Sequence, residues 1–196
     1  MQSDKIIWPL TENDHIQGLD AAPVTLIEYG DFECRCCGIA QAIVRAVQRE
    51  LGGMLRFAFR HFPVDDIHPR ARRAAEAAEA AGAQNQFWEM HDLLLSHQYA
   101  LGTEDLIRYA ETLDLDMARF VYEQEAGLHM ARVSEDVRHG IRSGVRGTPT
   151  FFINGVRLDR PWSNVEYFAL TLREAAVPSA TPSGTAVLRG RRSAKA

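Results

Sequence analysis

The spacing of apolar residues over the first sixty positions predicts a strand, a helix and a second strand. Residues 23–29 are apolar and β-prone, and Gly30 ends the run, as expected for a buried strand. Residues 37–51 have a helical pattern, and two consecutive glycines follow it. Residues 54–60 alternate as in a strand. A strand, helix and strand in this order indicate a βαβ unit with parallel strands.

The middle of the chain, from about residue 68 to residue 144, changes to a helical pattern. Residues 70–83 are rich in alanine and charge, and apolar residues such as Phe87, Met90 and Leu94 then recur at helical spacing. We therefore expect an insertion of several short helices.

The last part of the ordered chain has the pattern of a hairpin and a helix. Thr150–Ile153 resumes the strand pattern, and Asn154–Gly155 is a strong two-residue hairpin signal that lets residues 156–158 pair back. Ser163 is placed to cap a last helix that runs to about Ala176.

Composition indicates one compact domain in residues 1–176. The 196 residues are 46% apolar, the net charge is -4, and residues 177–196 have the composition of a disordered basic tail. Basic residues are interspersed with acids, which argues against a nucleic-acid partner, and no stretch is long enough to span a membrane. The N-terminus lacks a basic cluster followed by an apolar run, so we expect no secretory signal and a cytoplasmic location.

Three cysteines lie within four positions, which favours a thiol site over a disulfide framework. Cys34 and Cys37 are spaced to share one helical turn, so the two thiols can reach each other. Cys34 would stand at the helix N-terminus, where a thiolate is favoured. This spacing is typical of a reversible dithiol.

Together with residues 147–155, the cysteine segment resembles the DsbA-like thiol-disulfide oxidoreductases of the thioredoxin superfamily. The resemblance covers about residues 14–176 and implies an α/β, thioredoxin-like fold with a helical insertion between its βαβ and ββα halves. It implies that Cys34 is the nucleophile and Cys37 the resolving thiol. It also implies that Pro149 is a cis-proline and, with Thr148, holds an extended substrate peptide beside the sulfur.

Glu28 stands six residues before Cys34, where the family often carries a buried acid. We expect Glu28 to accept the proton of Cys37 when the second thiol attacks. The alternative interpretation is a carboxylate at a strand end in water.

The residues between the cysteines differ from the usual family pattern. Arg35 would favour a Cys34 thiolate by its charge, whereas Glu33 would oppose it. Cys36 is interpreted as a small buried side chain. The alternative is a third thiol that traps mixed disulfides or binds a soft metal with its neighbours.

A structural zinc site is not expected, because a second CxxC motif or a paired histidine motif is missing. The seven histidines are instead interpreted as surface or capping residues.

The sequence therefore predicts an enzyme that exchanges disulfides through a mixed-disulfide intermediate, without a metal or organic cofactor. Its partners would be a protein or small molecule that carries a disulfide or dithiol, and a cellular thiol as electron donor. In a reducing cytoplasm, net reduction is expected. Two other classes stay open: a kappa-type glutathione transferase or isomerase, and a non-catalytic domain that senses redox state or binds a soft metal.

Overall fold

The computed structural model describes residues 9–177, which form a central mixed sheet with helices on both faces. The N-terminal part contains β1 (His15–Gln17), β2 (Val24–Gly30), α1 (Arg35–Leu51), a 3-10 turn (Gly52–Met54) and β3 (Leu55–His61). The predicted βαβ unit is confirmed, since β2 and β3 pair in parallel and β1 adds to β3 in antiparallel orientation.

Five helices follow β3 before the sheet resumes: α2 (Ala71–Gly82), α3 (Phe87–Ser96), α4 (Thr103–Thr112), α5 (Met117–Ala126) and α6 (Met130–Arg142). The predicted helical insertion is thus confirmed. None of the described helices has the length and apolar character needed to cross a membrane.

The chain finishes with β4 (Thr150–Ile153), β5 (Val156–Arg157) and α7 (Val165–Ala176). Asn154 and Gly155 both have positive φ, 50° and 80°, as a type I′ hairpin turn requires. The prediction that Ser163 caps the last helix is wrong by one residue. Asn164 is the cap, and its Oδ1 accepts a hydrogen bond of 2.8 Å from the Tyr167 amide.

The strand order β1-β3-β2-β4-β5 places β2 at the centre of the sheet. Leu26 belongs to the larger apolar cluster, which also contains residues of α1, α3 and α7, whereas Ile27 and Tyr29 belong to a second cluster with Phe62 and Phe152. Because both faces are covered, β2 is apolar at nearly every position. Thr25 is half-buried, and the charged residue of the strand, Glu28, is 2% exposed. The predicted α/β fold with its insertion is confirmed, while the predicted tail lies outside the described residues.

Candidate active site

Cys34 is the N-terminal cap of α1, and it has extended backbone angles. Its carbonyl accepts hydrogen bonds from the amides of Cys37 (2.9 Å) and Gly38 (3.3 Å), so its own side chain stands at the positive end of the helix. Cys34 and Cys37 are both free, buried thiols, at 8% and 0% exposure. The helix therefore brings the two predicted thiols to one end of α1.

The loop before β4 faces this end of α1. The Cys34 Sγ lies 3.3 Å from the carbonyl oxygen of Thr148, and the Thr148–Pro149 peptide bond is cis. A cavity of about 360 Å³ beside them is lined by Thr148, Pro149 and Trp162 among others. Two segments more than a hundred residues apart thus meet at one sulfur atom.

Hydrogen bonding favours the thiolate form of Cys34. The hydrogen bond with Cys37 is the largest influence and outweighs the opposing effect of burial. The side chain of Thr148 and the backbone amides of Cys36 and Cys37 add to it, and the pKa of Cys34 falls to about 5. Cys34 is therefore a thiolate at neutral pH, which is the nucleophilic form of a cysteine.

Cys37 has the opposite character. Burial is the main cause that raises its pKa well above the usual value, and the hydrogen bond with Cys34 and the charges of Glu28 and Cys34 raise it further. The Asp31 amide donates a hydrogen bond of 3.4 Å to its Sγ. At neutral pH, Cys34 is therefore ionised and Cys37 is protonated.

Glu28 is buried at the centre of the sheet, so the interpretation of a strand-end carboxylate in water is wrong. Burial, followed by the negative charge of Cys34, raises the pKa of Glu28 to about 8. Its Oε1 is buried and has no hydrogen-bond partner among the described residues. A carboxyl group with this pKa can exchange a proton near neutral pH.

Glu33, Arg35 and Cys36 are the residues next to Cys34 at the start of α1. Glu33 accepts a hydrogen bond of 2.7 Å from the Arg70 amide, at the start of α2, while Arg35 is exposed. Cys36 is also exposed, so its interpretation as a small buried side chain is wrong. The first turn of α1 has to leave one thiol in solvent, because Cys37 occupies the buried face.

Sequence reasoning missed two residues that hold this site in place. The Asp31 carboxylate accepts hydrogen bonds from the amides of Glu33 (2.8 Å) and Val64 (2.9 Å) and lies 2.8 Å from Nδ1 of His68. The Gln98 amide donates to the carbonyls of Phe32 (2.9 Å) and Cys34 (2.7 Å). Only the position of Asp31 after a strand could have indicated its role. Gln98 gives no sequence signal, because its contacts depend on the packing of the insertion.

His15, His61 and Glu79 bring three possible metal-ligand atoms within 4.8 Å of one another. The Nε2 atoms of both rings lie 3.0 and 2.8 Å from the same Glu79 oxygen, and Arg132 Nε lies 4.0 Å from it. Burial alone would raise the pKa of Glu79, but the hydrogen bonds from both histidines hold it well below its usual range. The Glu79 carboxylate therefore has both histidines as hydrogen-bond partners, with the Arg132 guanidinium nearby.

His61 and His91 are both buried, so the prediction that the histidines are surface or capping residues is wrong for these two. They lie among aromatic rings. The ring centroid of Phe59 is 5.6 Å from that of His61 and 4.7 Å from that of His91. Aromatic packing makes burial of an imidazole favourable, which a count of polar residues does not predict.

The family model described as "Thioredoxin" matches residues 10–170. The chain therefore belongs to this thioredoxin family, and its fold is of the DsbA-like kind. Its structure is similar to oxidised BdbD from Bacillus subtilis, with a TM-score of 0.78 and 20% identity over 89% of this chain and 97% of the other. It is also similar to alpha-DsbA1 from Wolbachia pipientis, with a TM-score of 0.74, 22% identity and coverage of 89% and 96%.

The curated relatives carry a different name. The chain is 51% identical over 146 residues to "Na(+)/H(+) antiporter NhaA 1" of Salinispora arenicola, a match that covers 74% of this chain and 22% of the relative. It is 40% identical over 163 residues to "Na(+)/H(+) antiporter NhaA 1" of Mycolicibacterium gilvum, with coverage of 81% and 26%. The chain thus spans about a quarter of the length of these relatives.

Proposed function

We propose that the chain is a thiol-disulfide oxidoreductase whose dithiol is formed by Cys34 and Cys37. The observation that carries this proposal is the opposite tuning of two neighbouring thiols, a Cys34 with a pKa of about 5 and a Cys37 with a pKa well above the usual value. In such a pair, the Cys34 thiolate attacks the substrate, while Cys37 stays protonated until it resolves the mixed disulfide.

The reductive reaction begins with attack by the Cys34 thiolate on a substrate disulfide. A Cys34–substrate disulfide forms, the substrate bond breaks, and the leaving sulfur takes up a proton. Formation of this mixed disulfide removes the Cys34 charge that helps to raise the pKa of Glu28, so the ionised carboxylate becomes more populated. Cys37 then gives its proton to the Glu28 carboxylate, and its sulfur attacks Cys34 Sγ. The second substrate thiol leaves, and the dithiol has lost two electrons to become the Cys34–Cys37 disulfide. A cellular thiol donor would return those electrons.

The Thr148–Pro149 loop is the proposed binding site for the substrate. The carbonyl of Thr148 lies 3.3 Å from Cys34 Sγ, and the cavity beside Pro149 extends to Trp162. We propose that an extended chain binds here, with its disulfide at Cys34 and its backbone along the loop. The exposed side chains of Arg35 and Cys36 would then border the substrate.

The names of the curated relatives describe ion exchange by proteins of which this chain matches about a quarter. Our proposal concerns the dithiol of the matched segment. A cytoplasmic location stays a prediction, and net reduction of substrates follows if the dithiol faces a reducing compartment.

A glutathione redox titration with trapped thiols counted by mass spectrometry tests the proposal. The wild type and the Cys36→Ser variant should both show one two-thiol transition, located at Cys34 and Cys37, and Cys34→Ser should show none. The midpoint separates a reductase from an oxidase. Absence of the transition, or its dependence on Cys36, would reject the proposal and favour the sensor or metal hypothesis.

A further inference from the structure

A second cavity, of about 420 Å³, lies between α1, α3 and the sheet and has Glu28 in its lining. Its lining residues change in exposure along the cavity. Glu28 and His91 are buried, Gln41 is half-buried, and Arg45 is exposed. The cavity therefore leads from the centre of the sheet to the protein surface.

Two buried polar atoms of the residues that line this cavity have no hydrogen-bond partner in the part of the chain that the structure describes. They are Oε1 of Glu28 and Nε2 of His91. Buried polar atoms are nearly always paired with protein or with ordered water. A polar cavity of this size has room for water, which supplies such partners.

The neighbouring Asp92 defines which nitrogen of His91 carries the proton. Asp92 Oδ1 lies 3.1 Å from His91 Nδ1, and a carboxylate accepts, so Nδ1–H donates and Nε2 keeps its lone pair. Asp92 itself accepts a hydrogen bond of 2.8 Å from Gln41 and is paired with Arg45. The ring is thus held with a free proton acceptor.

Glu28 and His91 line the same cavity, and each is a neighbour of Phe59. Glu28 is paired in register with Phe59 of β3, and the His91 ring centroid lies 4.7 Å from that of Phe59. Burial lowers the pKa of His91, with Asp92 opposing that effect and the charges of His61 and Arg45 adding to it. The imidazole is therefore neutral at neutral pH and able to accept a proton.

We propose that His91 relays protons between Glu28 and solvent through water in this cavity. The inference rests on the proposed function, in which Glu28 takes the proton of Cys37 and must lose it again. The Glu28 carboxyl gives its proton to a cavity water, which protonates His91 Nε2. Nε2 then gives that proton to a water nearer the open end of the cavity. Throughout, Nδ1 keeps its own proton and its hydrogen bond to Asp92. One proton enters and one leaves, and His91 touches no substrate atom.

The test measures the proton transfer without any disulfide chemistry. Infrared spectra of the reduced protein after a pH jump would follow the protonated carboxyl band, which is assigned to Glu28 by its loss in Glu28→Gln. In His91→Gln, which keeps a polar side chain but cannot relay a proton, we expect the band to relax about 10²-fold more slowly. His97→Gln is the matched control, because His97 is exposed at the end of the same helix and does not line the cavity.

The outcomes separate the two proposals. A Glu28 band that relaxes equally fast in the wild type and in His91→Gln overturns the relay and leaves the dithiol function intact. Absence of any titrating band that depends on Glu28 overturns the proposed role of Glu28 and, with it, the relay. If His91→Gln fails to fold, Gln41→Leu makes the same test, because an apolar side chain at this half-buried position removes water from the cavity. Unchanged relaxation of the Glu28 band in Gln41→Leu also overturns the relay.

Discussion

The side-chain amide of Gln98 donates a hydrogen bond of 2.7 Å to the carbonyl oxygen of Cys34, across 64 residues of sequence. Gln98 lies in the loop between α3 and α4, so the helical insertion is tied to the first turn of α1. The same amide donates to the Phe32 carbonyl, at 2.9 Å. The position of Cys34 is therefore fixed by the helical insertion as well as by β2, which precedes it in the chain.

Replacing Gln98 should loosen this end of α1. In Gln98→Leu the carbonyls of Phe32 and Cys34 lose their side-chain donor, and we expect the free energy of unfolding to fall by about 1–3 kcal/mol. Chemical denaturation measures it, and Tyr99→Ala, which changes a neighbouring side chain that is 82% exposed, is the control. Equal stability of Gln98→Leu and the wild type would show that the two hydrogen bonds contribute nothing.

The charge state of Cys34 should be visible in its alkylation rate. In a Cys36→Ser background, which removes the exposed thiol, the rate with iodoacetamide should rise with pH and reach half its plateau near pH 5, because the pKa of Cys34 is about 5. Adding Cys37→Ala removes the main hydrogen bond to the thiolate and should move the half-rise to higher pH. A half-rise near the ordinary value in both proteins would contradict the assignment.

Local pattern was sufficient for the longer elements of the fold, because each carries many residues at one period. It was insufficient for β1, whose three residues, His15–Gln17, are all half-buried and contain one apolar side chain. This strand exists because the antiparallel edge of β3 accepts it. The pattern predicts the last helix, but it does not distinguish Asn164 from Ser163 as its cap, because both residue types can fill that position.

The site shows the same division between local and long-range information. The pairing of Cys34 with Cys37 follows from their spacing, whereas the exposure of Cys36 depends on which face of α1 packs on the sheet. His91 has no distinguishing sequence context. Its burial beside Phe59 arises because α3 of the insertion packs over the central strands.

Glu28 should affect both the reaction and the pH dependence of stability. Without a base for Cys37, Glu28→Gln should slow resolution of a trapped mixed disulfide about 10²-fold, measured by quenched-flow mass spectrometry. An equal rate in the variant would contradict the assigned base.

The sign of the stability effect follows from the raised pKa of Glu28, which is about 8 in the folded protein against an ordinary value of 4.5. Between these pH values the folded state holds a proton that the unfolded state has lost, so this group makes stability fall as pH rises. Glu28→Gln removes the penalty. The variant should match the wild type near pH 5 and exceed its stability at pH 8.5 by more than about 1 kcal/mol. A constant difference across this range would mean that Glu28 is ionised throughout.

Gly140 should tolerate no side chain, because α6 packs tightly against the second apolar cluster. A Cβ at this position would lie 2.7 Å from Cδ2 of Phe62 and 3.0 Å from Cε1 of Tyr29. We expect Gly140→Ala to lower the free energy of unfolding by about 1–3 kcal/mol through overpacking. Gly53→Ala is the control, since the added Cβ meets only Leu19, at 3.4 Å. Stabilisation by Gly140→Ala, as helix propensity alone predicts, would show that the rings can move aside.

Asp14 and Arg60 form a buried ion pair that ties the segment before β1 to the sheet. Arg60 Nε and Nη2 donate to Asp14 Oδ1 and Oδ2 at 2.6 and 2.9 Å, and both side chains are nearly inaccessible, at 3% and 2% exposure. Burial opposes ionisation of Asp14, yet the hydrogen bond and charge of Arg60 hold its pKa below the usual value. The carboxylate therefore stabilises the fold above its unfolded pKa, and this contribution is lost as pH falls through the folded pKa.

Replacing Asp14 by asparagine should cost about 3–5 kcal/mol at pH 7, because a buried guanidinium loses its counter-charge. The cost should shrink at pH values below the folded pKa of Asp14, where the wild-type carboxyl is itself protonated. Urea denaturation at pH 7 and in acid measures both quantities. Asp20→Asn is the matched control, since Asp20 is 97% exposed and its oxygen lies 3.6 Å from Arg56; we expect a change within about 0.5 kcal/mol. If both variants lose the same stability at pH 7, burial adds nothing to the Asp14–Arg60 pair.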